Sequence, residues 1–326
     1  MRKALGSKLM LFGAVALAIV AVVLFIVVPP KTRDTVRVVN PPSIIASLPH
    51  WVAEERGFYR DAGIEVKAIA VSSSALMAQA ITSRDADVLP AVSLVDVLAN
   101  QGQALDRPLI FSHSRMVKDP PFESILVLTG SKLATFKDLA GKRIAVYPGA
   151  TSTEAVKLFL RENGVDPISV VFRPLPPPEH ITALERGDVD ASHLYEPLRT
   201  QALAGKLCRE LVRSVYAYLN EPSAIGVSAI SSRFAMERPK AAQRYLEAWD
   251  RSIIFIREHP DEARAILAQR LKLSPDVAKS ATWVDATLLA ELDMNALSLT
   301  VATVKKMGLV PDGVDANPSS FVYARK

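Results

Sequence analysis

RIAVYPGATSTEAVKLFLRE, residues 143–162, reads as a strand, a turn and a helix. Ile144, Ala145, Val146 and Tyr147 form a short apolar run of strand-forming types, and Pro148-Gly149 breaks it. Thr151 and Glu154 then stand at the T-x-x-E spacing of a capping box, and Val156, Phe159 and Leu160 share one helical face. The helix is expected over Thr153–Glu162. A strand that passes through a glycine turn into an amphipathic helix is the repeating unit of a parallel α/β sheet.

The same rhythm extends in both directions. Upstream of it, Thr35–Asn40, Glu65–Val71, Ala86–Leu89 and Pro108–Ser112 read as strands. Between them, Trp51–Phe58, Ser74–Thr82 and Ser93–Gln101 read as helices. From Ser124 the series restarts with strands at 124–130, 143–147, 169–173 and 189–195, separated by helices that include Glu179–Arg186 and Pro197–Ala204. Two such series predict two α/β lobes with right-handed crossovers and parallel sheets. Beyond Pro222 a strand at Ala224–Ile230 leads into a helix-rich tail, Pro239–His259, Asp261–Leu271, Pro275–Ser280 and Leu288–Lys306. Such a tail suits a chain that returns to its first lobe, with His113–Phe122 and Tyr218–Ser223 as crossovers. The expected domains are 1–34 as a membrane segment, 35–117 plus 222–326 as lobe I, and 118–221 as lobe II.

Composition separates the first of these from the rest. The 326 residues are 49% hydrophobic, with a mean hydropathy of +0.19. Leu9–Val28 accounts for that average, since Gly13 is its one residue outside the apolar set. At about 1.5 Å per residue the run spans roughly 30 Å, the thickness of a hydrocarbon core. Arg2, Lys3 and Lys8 before it predict an N-inside orientation, with the remainder of the chain outside. An uncleaved signal-anchor is the expectation and a cleaved signal peptide the alternative. The net charge of +5 has the same origin, because the basic excess flanks this run. Nucleic-acid binding is therefore set aside. A multi-span membrane protein and a disordered chain are excluded. Cys208 is the only cysteine, which excludes an intrachain disulfide, a cysteine-held metal cluster and a lipid-anchored N-terminus.

Polar chemistry gathers where helices begin. Ser72-Ser73-Ser74 opens one helix, Ser93 with Asp96 another, and Gly149-Ala150-Thr151-Ser152-Thr153 a third. Free amide N–H groups and the positive end of the helix dipole suit such termini to anions. A single Ser or Thr there is most simply a cap. Glycine with three hydroxyl residues exceeds what one cap requires. His50, His113 and His193 follow or adjoin strands without metal-binding spacing. No P-loop, G-x-G-x-x-G, G-x-S-x-G or convincing triad occurs, so no cofactor, metal or catalytic residue is assigned.

Four blocks resemble periplasmic solute-binding proteins of the nitrate/sulfonate/taurine type, a family that includes binders of thiamine-pyrimidine precursors. They are SLPHWVAEERGFYRDAGIEVK (47–67), SSSALMAQAITSRDADVLPAVSLVDVLA (72–99), DLAGKRIAVYPGATSTEAVKLFLRENGVDP (138–167) and ALERGDVDASHLYEPLRTQAL (183–203). Tyr195 stands where the family usually has Trp, and Arg84 where it has Gly. The resemblance implies an α/β, two-lobed flytrap of type II-like form that passes a small organic anion to an ABC permease and its ATPase. It implies ligand contacts at Ser47, His50, Ser73, Ser74, Val92, Ser93, Gly149, Thr151, Ser152, Thr153, Tyr195 and Glu196. With the N-terminal run added, the expected location is the outer face of the inner membrane, anchored by a transmembrane helix. Three alternatives stay open. One is an aromatic or pyrimidine solute sandwiched by Trp51 and Tyr195, and another a tethered ligand sensor. An enzyme on the same scaffold is the third and least favoured, because Cys208 alone cannot supply a cysteine-rich motif.

Overall fold

Eleven strands divide between two mixed sheets among the residues described by the computed structural model, which are 33–40, 44–71, 73–102, 105–283 and 285–324. The first series runs β1 (Asp34–Asn40), α1 (Leu48–Glu55), α2 (Phe58–Asp61), β2 (Ile64–Ala70), α3 (Ser74–Thr82), β3 (Val88–Ser93), α4 (Leu94–Ala99) and β4 (Pro108–Arg115). The second runs β5 (Glu123–Leu128), β6 (Arg143–Val146), α5 (Ala150–Glu162), β7 (Val171–Pro174), α6 (Glu179–Glu185), β8 (Ala191–Tyr195), α7 (Leu198–Ala204), β9 (Cys208–Arg213) and α8 (Val215–Leu219). The tail supplies β10 (Gly226–Ser231), α9 (Ser232–Glu237), α10 (Pro239–Glu258), α11 (Pro260–Leu271), α12 (Pro275–Ser280), β11 (Asp285–Ala286), α13 (Met294–Lys306) and α14 (Pro318–Phe321).

The first sheet has the order β11-β4-β10-β3-β1-β2 and the second β7-β6-β8-β5-β9. The sheets are only partly parallel, as β1–β3, β6–β7 and β6–β8 are. β10 enters between β3 and β4 antiparallel to both. β5 is likewise antiparallel to β8 and β9. Pro90 in the central strand β3 cannot donate to a ladder. The register slips opposite it, between Val227 and Ala229, and the Ser228 hydroxyl donates to the Pro90 carbonyl at 2.6 Å.

Residues 35–326 pack as one compact unit. One apolar cluster runs from Val39, Trp51 and Leu89 through Ile225 to Ile125, Ile144 and Val156. A second lies behind the first sheet, where Phe111 meets Trp249 edge-on and Tyr59 stacks on Tyr245. The two segments that cross between the lobes are joined by reciprocal backbone hydrogen bonds between Met116 and Ser223, of 3.0 and 2.8 Å.

The expected N-terminal transmembrane helix requires correction. No helix of the described residues is long and apolar enough to cross a membrane. The longest, α10, has 20 residues, but Lys240, Arg244, Glu247, Asp250, Arg251, Arg257 and Glu258 interrupt it, and such charges are costly in a bilayer core. The run Leu9–Val28 lies outside the described residues. The fold is therefore the two-lobed α/β body. The membrane as a partner through that helix, and the anchored location, are withdrawn with it.

Candidate functional site

Three helix N-termini meet at the seam between the lobes. Ser73 precedes α3 in extended conformation and makes no side-chain cap. Ser74, the first residue of α3, accepts the Ser93 N–H at 3.0 Å and hydrogen-bonds the Asp96 carboxyl. Burial raises the pKa of Asp96 in spite of that bond. Ser93 caps α4 by accepting the Val95 N–H at 3.2 Å. Its oxygen also lies 3.2 Å from the Thr151 hydroxyl, which belongs to α5 and the second sheet. That bond joins the two lobes. Gly149 precedes α5 with φ +110°, a conformation that disfavours a side chain although open space surrounds its Cα. Neither α3 nor α5 has a side-chain cap or an acidic residue in its own first turn to meet its leading amides.

Successive helical residues turn by about 100°, and this divides the hydroxyl trio. Thr151 and Thr153 are partly exposed, whereas Ser152 is buried. Ser152 Oγ accepts the Tyr147 N–H at 3.3 Å and lies 3.0 Å from His193 Nδ1. His193 Nε2 is 2.7 Å from Glu123, and neither side chain is exposed. Glu123 also receives the Ser214 hydroxyl and the Val215 and Tyr216 N–H groups, each at 3.0 Å. Burial alone would raise its pKa, but His193 and these backbone donors hold it below the usual carboxylate value.

The other expected residues lie deeper. The Val92 side chain belongs to the core cluster. Tyr195 stacks on Tyr147 with ring centres 4.0 Å apart, and its hydroxyl meets that of Tyr216 at 2.6 Å. Trp51 is buried in the core cluster around the first sheet. Tyr195 is half-buried and packs against the same cluster. The Glu196 carboxylate accepts from Arg199 at 2.9 Å and Thr200 at 2.8 Å, and from the Thr282 N–H. Burial nevertheless raises its pKa.

At the start of α1, Ser47 Oγ and His50 Nε2 are both buried without a hydrogen-bond partner, though Nε2 lies 3.6 Å from the Glu54 carboxylate. His50 Nδ1 lies 3.1 Å from the Tyr59 hydroxyl, which in turn donates to Tyr245. Nδ1 then carries the proton, and Nε2 presents a lone pair. Burial, with Arg270 adding to it, lowers the His50 pKa to about 3.

Sequence reasoning missed Glu123, Tyr147, His180 and Tyr216 in this region. A charged residue leading the apolar strand ILVL was the available signal for Glu123. A separate cavity of about 130 Å³ lies among Leu48, Ile253, Arg257 and Trp283.

A family model described as NMT1/THI5 like matches residues 45–263. The chain belongs to that family. A Bacillus subtilis protein assigned as an aliphatic sulfonates-binding protein is 26% identical over 237 residues, which cover 71% of this chain and 69% of that one. The alkanesulfonate-binding protein of Xanthomonas axonopodis pv. citri, solved bound to MOPS, superposes with a TM-score of 0.71 at 19% identity. It covers 89% of this chain and 98% of its own. The periplasmic aliphatic sulphonate binding protein of Escherichia coli gives the same TM-score and identity, covering 89% and 97%. A desulfurization enzyme shares this architecture as well, with a TM-score of 0.64 at 19% identity, covering 89% of this chain and 96% of its own. This family member has the periplasmic-binding-protein fold, which solute-binding proteins share with at least one enzyme.

Proposed function

We propose that the protein is the extracytoplasmic solute-binding component of an ABC importer, and that it holds a small organic anion of sulfonate type between its lobes. The observation that carries this reading is the 3.2 Å contact of Ser93 with Thr151. Together with the Ser93 N–H bond to Ser74, it brings the α3 and α5 N-termini, both without a side-chain cap or a first-turn acid, to one seam. Oriented amides and hydroxyls at helix starts bind anions without a formal positive charge. Lobe I comprises 35–117 with 222–326, and lobe II 118–221. Ser73, Ser74, Ser93, Gly149, Thr151 and Thr153 contact the anion. Ser47 and His50, with unpartnered polar atoms, take a further polar group of the solute. Val92, Ser152, Tyr195 and Glu196 support the walls from behind. An anion that touches both lobes stabilises the closed arrangement by its differential affinity for it.

Thermal unfolding with methanesulfonate, ethanesulfonate, taurine and nitrate tests the proposal, with methanesulfonamide as the neutral control. An anion at a hundred times its Kd adds about 2.7 kcal/mol, or roughly 4–5 °C for a unit of this size. If none of these anions shifts the transition, the anion reading fails.

A further inference from the structure

We propose that the cavity beside α1 is a second ligand site, independent of the anion reading of the seam, and that it takes a small uncharged molecule built on one apolar ring. Leu48 and Pro49 of α1 and Ile253 and Ile256 of α10 form its floor, and all four are buried. Trp283 and Ala286 make a half-buried wall, and Arg257 and Asp285 stand exposed at the mouth. A concave site with an apolar floor and a few polar groups at its edge is the usual form of a small-molecule pocket. The volume is about 130 Å³, and an apolar cavity of about 150 Å³ takes one benzene ring.

The charges at the mouth already compensate one another. Arg257 donates to Glu291 at 2.9 and 2.8 Å, to Asp285 at 3.3 Å and to the Ala286 carbonyl at 3.1 Å. Arg115 donates to Asp285 at 2.8 Å and to Glu291 at 3.5 Å. Two guanidinium groups thus face two carboxylates, and the set sums to zero. A charged occupant must displace a member of this set or lie unpaired on the apolar floor, whereas a neutral ring does neither. The floor favours only the removal of hydrocarbon from water. The walls are fixed before anything binds. Ala286 is held in β11 opposite Ser114 of β4. Arg264 of α11 lies 4.2 Å over the Trp283 ring and donates to the Ala278 and Ala281 carbonyls at 2.7 and 3.1 Å, which ties the chain before Trp283 to α11. Protein interiors are close-packed and leave few voids larger than a water; here the ion pairs and the β11–β4 pairing keep the wall from collapsing onto the floor. A pocket preformed in this way loses little conformational entropy when it is filled.

NMR titration of the full chain with toluene, read at the Ile253 and Ile256 methyl and Trp283 indole signals, tests the proposal. Saturable shifts at these signals are expected, with a Kd of about 0.1–1 mM, well inside the ceiling for a ligand of seven non-hydrogen atoms. Overhauser contacts from toluene to Ile256 and Trp283 should locate it in the cavity without any substitution. Benzoate and benzylammonium, followed at the same signals, should bind at least about tenfold more weakly. Ala286→Leu fills the cavity from its half-buried wall and should abolish the toluene shifts, with urea unfolding to show that the variant folds. Toluene that leaves these signals unmoved up to its solubility, or that makes its Overhauser contacts elsewhere, overturns the proposal. Equal binding by either charged congener at these signals overturns the uncharged class, and toluene shifts that survive in folded Ala286→Leu overturn the location. Because the readout is at the cavity, none of these results depends on whether a sulfonate binds at the seam.

Discussion

Two buried imidazoles should make this protein lose stability in mild acid. His50 and His180 are fully buried, and burial lowers their pKa values to about 3 and about 4. In the unfolded chain each titrates near 6.5. Below that value the unfolded chain binds a proton at each site, and the folded protein does not until pH approaches 4 or 3. The unfolded state therefore holds more protons across this window, and stability falls as pH falls through it. One unit costs about 1.4 kcal/mol per site, so the step from pH 7.5 to 5.0 costs about 2 kcal/mol for each histidine and about 4 for both. His113, lowered by burial and by Arg115, adds in the same direction. Glu291 interferes little. Its pKa is held at about 2 mainly by Arg257, and its contribution is lost only as pH falls below the unfolded value near 4.5. Urea unfolding at pH 7.5, 6.5, 5.5 and 5.0 measures the slope. His50→Gln and His180→Gln each lose hydrogen bonds and are less stable at pH 7.5, but each should reduce the pH-dependent part by about 2 kcal/mol. A variant whose stability falls with pH in parallel with the unsubstituted protein would refute the assignment of a buried neutral ring at that position.

Two further outcomes test the seam. Thr151→Val keeps the shape of the side chain and removes the hydroxyl that meets Ser93; it should weaken ethanesulfonate binding about threefold to tenfold in calorimetry, the worth of one hydrogen bond, and an unchanged affinity would remove Thr151 from the contact set. Gly149→Ala meets no neighbour within 4 Å but must hold φ +110°, so it should cost about 1–3 kcal/mol of stability through the backbone alone, read by the urea midpoint; equal stability would show that the α5 start relaxes without penalty.

The lobes were legible because their strands are short apolar runs set between helices. Ile144–Val146 and Ile125–Val127 are buried, as continuous hydrophobic runs predict. β9 (CRELVR) escaped notice because it is an edge strand whose Arg209, Glu210 and Arg213 make polar contacts that break an apolar run. Strand direction was also misjudged. Alternation with helices implies parallel pairing, but the chain crosses between lobes at 116–122 and 214–225. β5 and β10 each enter a sheet from that crossing and run against its neighbours.

Within the site, sequence identifies which residues lie near the seam and says little about which way each side chain faces. Thr151, Ser152 and Thr153 look alike on paper, but Ser152 finds its partner in His193, 41 residues away. Glu123 takes its donors from residues 70 to 93 positions downstream, beyond the reach of any local pattern. Glu196 is different, because its side-chain partners are Arg199 and Thr200, three and four residues on. Glu196 stands just before α7, and Arg199 and Thr200 of that helix's first turn reach back to its carboxylate. A Glu-Pro motif locates this turn in the fold, and the i+3 and i+4 neighbours then decide whether its acid is free.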